Sequence, residues 1–324
     1  MRILHFGDVH LPFPEGALRG AAALHPKRVP ALVNFALLRG AKYAEAAAKL
    51  NALGEFLRRE PVDWIVYTGD SVNMGLAREF LVAAPALSAV LGAAKKGAVS
   101  VPGNHDLYTG GSVGAFKKWM GGLPGLRATE RPEARGGADW GWPTVRFFDE
   151  RTVAIGLNTA CPHWGFWDSS GRLARAELDA LERLLDDPEV GGRERVLLVT
   201  HYPLDEAGFF RGMRGSEAIA RALAGRDNVS ILHGHNHANY VRRLPGTEIP
   251  LYCCGSLSKA GAEAFWLYEP MGKDLNARRG RWVNARWVVD LAEEWNGGTA
   301  AGEKKTVVCK SKCTSAKVSA PMRR

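Results

Sequence analysis

No stretch of this chain approaches the ~18 uninterrupted apolar residues of a spanning helix, which excludes one. The amino end, Met1-Arg-Ile-Leu-His-Phe-Gly7, runs straight into a strand-like segment without a charged-then-apolar leader, so the expected location is the cytoplasm. Cysteine is sparse: Cys161, Cys253, Cys254, Cys309 and Cys313 account for all five, and no pair recurs at zinc spacing. These thiols are expected to be reduced, with the first three packed as small hydrophobes. There is no internal repeat of 20–50 residues. Charge of one sign is also scarce in the body. The net +9 is concentrated at residues 303–324, which hold seven of the 43 Lys and Arg and one of the 34 acids, leaving a net +3 elsewhere. A nearly neutral body gives little drive for counterion release along a phosphate backbone, so nucleic acid is not an expected partner.

What the 324 residues do contain is ordinary globular composition, 46% hydrophobic and 24% charged, with an ample ten Trp. Strand-like runs at 2–7, 63–68, 97–101, 152–157, 195–200 and 229–233 alternate with helical patterns near 76, 174–185 and 216–224. Strands then follow one another at 239–244, 248–253, 264–268 and 282–289. Alternation ending in a strand-rich segment predicts a layered α/β architecture. One domain is expected over 1–290, with a helical insertion at about 12–60, an extension at 291–302 and a basic, solvated tail at 303–324. In the insertion Tyr43, Ala47, Leu50, Leu53 and Leu57 recur at helical spacing among Lys27, Arg28, Arg39, Lys42 and Lys49. That pattern suits a helix packed on the domain's flank, or one wall of a substrate cleft.

Five short segments carry metal-ligating side chains, and each follows an expected strand. They are Gly7-Asp8-Val9-His10, Gly69-Asp70, Gly103-Asn104-His105-Asp106, Thr200-His201 and Gly234-His235-Asn236-His237. Loops from several strand ends converge in layered α/β folds, so these distant residues can meet. Asp, Asn and His together form a mixed oxygen and nitrogen set suited to Mn, Fe, Zn, Co or Ni rather than Ca. They are too many for one tetrahedral ion, and two adjacent ions sharing a carboxylate would use them all.

The ordered series D-x-H, G-D, G-N-H-D, H and G-H-x-H resembles the calcineurin-like metallophosphoesterases. The resemblance implies a four-layer α/β sandwich, two mixed β-sheets flanked by helices. It also implies that Asp8, His10 and His237 hold one transition metal ion (Mn, Fe or Zn) and Asn104, His201 and His235 a second, with Asp70 bridging. His105 would face the leaving-group oxygen, oriented by Asp106. Two ions ~3.5–4 Å apart can hold a bridging hydroxide at neutral pH and clamp a phosphoryl group for in-line attack. A histidine beside a carboxylate can protonate a poor leaving group. Glycine before Asp8, Asp70, Asn104 and His235 is expected to allow sharp turns, and His235 and His237 are expected to alternate on an extended segment.

Other residues carry weaker expectations. Arg211 and Arg214 are placed to grip a substrate phosphate. His5 and His233 read as core histidines or as supports behind the ligands, and Asn73 as a helix cap. Trp164 and Trp167 suit either the core or a stacking surface. The reaction expected is hydrolysis of a phosphodiester or pyrophosphate by metal-bridging hydroxide. The Asn-His-Asp triplet is shared with cyclic-nucleotide phosphodiesterases of the superfamily, and the insertion resembles that of relatives acting on lipid-linked nucleotides such as UDP-diacylglucosamine. Phosphorylated small molecules or lipid-nucleotides are therefore the expected partners, with weak contact at the inner membrane face. The alternatives are a phosphomonoesterase, a nuclease or a non-catalytic protein-binding scaffold.

Overall fold

The computed structural model describes residues 1–14, 25–134, 141–206 and 208–290. The extension and tail expected at 291–302 and 303–324 lie outside the described residues. In chain order the elements are β1 (Ile3–Phe6), α1 (Arg28–Asn34), α2 (Ala46–Arg59), β2 (Trp64–Tyr67), α3 (Ala77–Leu91), β3 (Gly97–Ser100) and α4 (Gly110–Met120). Next come β4 (Thr144–Phe147), β5 (Thr152–Gly156), β6 (Gly171–Arg172), α5 (Arg175–Asp186), β7 (Arg195–Val199), β8 (Met213–Arg214), α6 (Ser216–Ala222) and β9 (Val229–His233). The chain continues through β10 (Asn239–Arg243), β11 (Pro250–Cys254), β12 (Ala264–Met271), β13 (Asp274–Val283) and β14 (Arg286–Val289). No helix among the described residues is long and apolar enough to cross a membrane.

Two six-stranded mixed sheets form, flanked by helices, in the orders β14-β13-β12-β1-β2-β3 and β10-β11-β9-β7-β5-β4. In the first, β1, β2 and β3 run parallel, with Leu4 opposite Ile65. In the second, β5, β7, β9 and β11 run parallel. Side chains alternate across a strand, which explains the unbroken apolar run of β7. Leu197 and Val199 join the core that reaches the first sheet, whereas Val196 and Leu198 join the core beneath α5 and α6. The parallel strands of both sheets end at the candidate ligands, β1 at Asp8, β2 at Asp70, β3 at Asn104, β7 at His201 and β9 at His235.

Several local expectations differ from the structure. The strand expected at 282–289 is the hairpin β13–β14, turning through Asn284 and Ala285 at φ 49° and 56°. Both turn residues are left-handed, as the commonest two-residue hairpin requires, and the lack of glycine hid it. In the insertion, residues 35–39 form a π-helical turn and 40–43 a 3₁₀ turn between α1 and α2. On α2 the buried face is Ala46, Lys49, Leu50, Leu53, Phe56 and Leu57, with Ala47 exposed. Lys49 is buried because its ammonium donates to Ser258 O and to Glu263 Oε1 at 2.7 Å. Neither α4 nor β4 was apparent from residue periodicity.

Candidate metal centre

The strand-end loops are laced by main-chain hydrogen bonds, Asp8 N to Gly69 O (2.8 Å) and His10 N to Asp70 O (3.0 Å). Close approach explains the glycines better than turning does. A Cβ on Gly103 would lie 2.1 Å from Asp70 Oδ1, while Gly69 alone of the four takes a left-handed φ, 89°. The strain sits instead on the candidate ligands. Asp8, His10, Asp70, His235 and His237 all have φ between 45° and 70°. That conformation is unfavourable for side chains with a Cβ and is retained at functional sites. It also corrects the expectation for Gly234–His237, which is a left-handed loop rather than an extended segment.

Two clusters result. Asp8, His10, Asp70 and His237 each offer one ligand atom, all within 4.8 Å of one another. His237 Nε2 lies 3.1 Å from His10 Nε2 and 3.0 Å from Asp8 Oδ1. In the second cluster Asn104 Oδ1 lies 2.9 Å from His201 Nε2 and 3.0 Å from His235 Nδ1. One oxygen joins the two, for Asp70 Oδ2 is 3.6 Å from both His10 Nε2 and His201 Nε2.

The donor chemistry fits cations. A main-chain carbonyl can only accept, so His10 Nδ1 donates to Val72 O (3.2 Å) and His201 Nδ1 to Thr68 O (2.6 Å). The Nε2 lone pair of each neutral ring is thereby aimed into the cluster, as a metal ligand requires. Buried Asp8 Oδ1 faces His237 Nε2 at 3.0 Å, so a carboxylate oxygen and an imidazole nitrogen converge on one point that an ion can occupy. Burial, followed by the charge of His201, pushes His235 down to about 3, and burial also holds His201 low. Burial pushes the Asp8 carboxyl up, but His237, His201 and His235 outweigh it and bring the group below its usual range. Neutral imidazoles beside ionised carboxylates are the protonation states that metal binding uses.

His105 lies against this centre, its ring 4.8 Å from that of His10 and 90° to it. Asp106 does not orient it, contrary to expectation. The Asp106 carboxylate is consumed by the backbone N–H groups of Asp70 (2.9 Å), Ser71 (2.9 Å) and Gly103 (3.0 Å). Burial pushes this acid up to about 6, while those same amides pull the other way. His105 Nδ1 is held by Asn73 O at 2.5 Å. Nor does Asn73 cap α3, since its side chain donates to Leu11 O (2.7 Å). Buried Glu79 takes the cap's place, accepting from the N–H groups of Asn73, Met74 and Leu76. A glutamate three residues after Leu76 is a helix-start signal that would have found it.

The insertion reaches the centre through two residues that the sequence marks only as part of its apolar and basic pattern. Tyr43 Oη lies 3.0 Å from His237 Nδ1. Lys27 Nζ donates to Tyr108 O (3.0 Å), and the Tyr108 ring stacks on His105. Arg214 is not free to grip a phosphate, for it pairs with Asp168 Oδ2 at 2.6 Å, whereas Arg211 is exposed. Trp164 and Trp167 are 65% and 53% exposed, not core. Their loop abuts the one carrying Phe209 and Phe210 through Ser169 N to Phe210 O (2.8 Å). His5 and His233 are buried in their strands, with His5 Nδ1 2.9 Å from Tyr268 Oη.

The profile of the calcineurin-like phosphoesterases matches residues 1–239, which take in all five ligand segments. The chain belongs to the calcineurin-like phosphoesterase family. Family membership makes it a metal-dependent phosphoester hydrolase. Among solved structures, a dimetal phosphatase from Danio rerio is similar at a TM-score of 0.58 and 16% identity, covering 86% of this chain and 94% of its own. A purple acid phosphatase from yellow lupin (Lupinus luteus) seeds is similar at 0.54 and 12% identity, covering 86% of this chain and 51% of its own. The present phosphoesterase thus spans about half of the lupin protein. At these identities the likeness concerns the fold. No curated protein matches the chain by sequence.

Proposed function

We propose that this phosphoesterase is dinuclear and cleaves a phosphodiester or pyrophosphate bond. Asp8, His10 and His237 hold one ion, Asn104, His201 and His235 the other, and Asp70 is shared. The observation that carries this reading is the position of Asp70 Oδ2, equidistant at 3.6 Å from one imidazole of each cluster. When bound, such an ion pair supplies charge neutralisation and an activated water. The chain's own residues do the rest. Asn73 O commits His105 Nδ1–H, so with the ring in its imidazolium form Nε2–H gives its proton to the departing oxygen and leaves the neutral ring. Asp106 holds three amides of the ligand loops in place. A proton donor beside the metals favours poor leaving groups, hence diesters and pyrophosphates over activated monoesters.

An amphiphilic substrate such as a lipid-linked nucleotide is favoured by the rim. Trp164, Phe166, Trp167, Phe209 and Phe210 are each at least 50% exposed, and Val29, Val33 and Leu37 form an exposed stripe on the insertion. Such a rim suits a cytoplasmic protein working peripherally at the inner membrane face. One screen tests the reading: bis-p-nitrophenyl phosphate, p-nitrophenyl phosphate, cyclic AMP and a UDP-lipid, each with Mn²⁺ and with chelator. Turnover of the diesters and the UDP-lipid, abolished by chelator, is expected. Preference for p-nitrophenyl phosphate would make it a phosphomonoesterase, and no turnover with no bound metal would make it a scaffold.

A further inference from the structure

Two of the imidazoles that face the metal centre are steadied by main-chain carbonyls, His10 by Val72 O and His201 by Thr68 O. His237 differs. Its Nδ1 meets a side chain, the Tyr43 hydroxyl at 3.0 Å, and that side chain comes from the inserted segment rather than from the sheets. The Tyr43 ring also lies 4.9 Å from the ring of His10 and is 2% exposed. The segment is pinned beside it by Ala260 N donating to Lys42 O (2.8 Å). Tyr43 therefore touches two histidines of the first cluster, one through its hydroxyl and one through its ring.

A carbonyl dictates a histidine's tautomer, but a hydroxyl either donates or accepts. With Tyr43 accepting from Nδ1–H, His237 Nε2 carries the lone pair that faces Asp8 and His10. With Tyr43 donating, Nε2 bears the proton and is useless as a ligand. We propose that Tyr43 is a positioning residue for the first metal site alone, so that the inserted segment sets the affinity for one ion of the pair and leaves the other to the sheets. The inference rests on the dinuclear reading above.

Calorimetric titration of the metal-free, full-length protein with Mn²⁺ tests it. Wild type should bind two ions per chain. Tyr43→Phe should weaken one site by roughly 10–100-fold, the usual effect of losing a ligand's hydrogen-bond partner, and the other by far less. The spin-coupled Mn²⁺ pair signal should then appear only at higher Mn²⁺. Ala260→Pro, which removes the donor that pins Lys42, should weaken the same site to a smaller degree and serves if the Tyr43 variant fails to fold. Equal weakening of both sites, or none, would overturn the role of Tyr43. Fewer than two ions on wild type would instead overturn the dinuclear reading.

Discussion

Asp70 and Trp164 are held in different ways. Around Asp70 every neighbour is committed: Asp106 binds its amide, Gly103 leaves no room for a side chain, and its carboxylate joins two histidine clusters. Trp164 is 65% exposed and leans on Trp167 at 6.3 Å. The centre is over-determined by buried polar contacts, so it holds left-handed backbone at five candidate ligands. The rim has spare apolar surface and few obligations. Chemistry should therefore be brittle to change at the centre, and substrate preference tunable at the rim.

The sharpest way to break that contrast is at the shared carboxylate. Asp70→Ala should release both ions and lower turnover by roughly 10⁴-fold or more, because both clusters lose a ligand at once. Retention of one ion at full occupancy, seen by metal analysis, would refute a bridging role. His105→Ala comes next. It should keep its metal while kcat on poor leaving groups falls by about 10²–10⁴-fold, with a much smaller loss for p-nitrophenolate release. Equal losses on both substrate types would remove the proton-donor role.

Asp106→Ala tests the frame rather than the chemistry. Stripping three buried amides of their acceptor should cost about 3–5 kcal/mol in denaturant unfolding, with Asp106→Asn costing less. Glu177 on α5 sharpens the point, being a buried acid without such a frame. Its Oε2 has no partner among the described residues, and burial pushes it up to about 7. A folded-state value above the ordinary 4.5 means that the protonated form is the one the fold accommodates. Stability should therefore fall as pH rises from about 4.5 to 7, by about 1–3 kcal/mol, and Glu177→Gln should flatten that slope in thermal melts at pH 5 and 8. Smallest of all should be the double change Trp164→Ala and Trp167→Ala. A roughly three- to tenfold rise in KM for a UDP-lipid is expected, with bis-p-nitrophenyl phosphate nearly unaffected, as befits a modest loss of apolar surface facing a substrate. Equal KM changes on both substrates would show that the rim has no role in choosing an amphiphile.

Much of the centre was legible because its signals are local. A ligand must sit at a strand end, and a strand end shows as an apolar run followed by Gly and a polar side chain. Asp8, Asp70, Asn104 and His235 obey that rule, and His201 follows its apolar run directly after Thr200. Partners that act from afar were illegible. Nothing near Tyr43 announces a histidine 194 residues away, and the pairing of Asp106 with His105 that the resemblance implied is not the one the fold makes. Adjacent residues in a tight turn point in different directions, so the carboxylate serves the loop amides instead.

The sequence by itself determined the fold class and the chemistry of the ligand set, because strand periodicity, residue type and order survive without coordinates. Only the tertiary structure decided which candidate ligands cluster together, which carbonyls set their tautomers, and which side chains of the insertion reach the centre. Those outcomes depend on distances between loops that close from two different sheets, and such distances are fixed by packing across the core rather than by any neighbour along the chain.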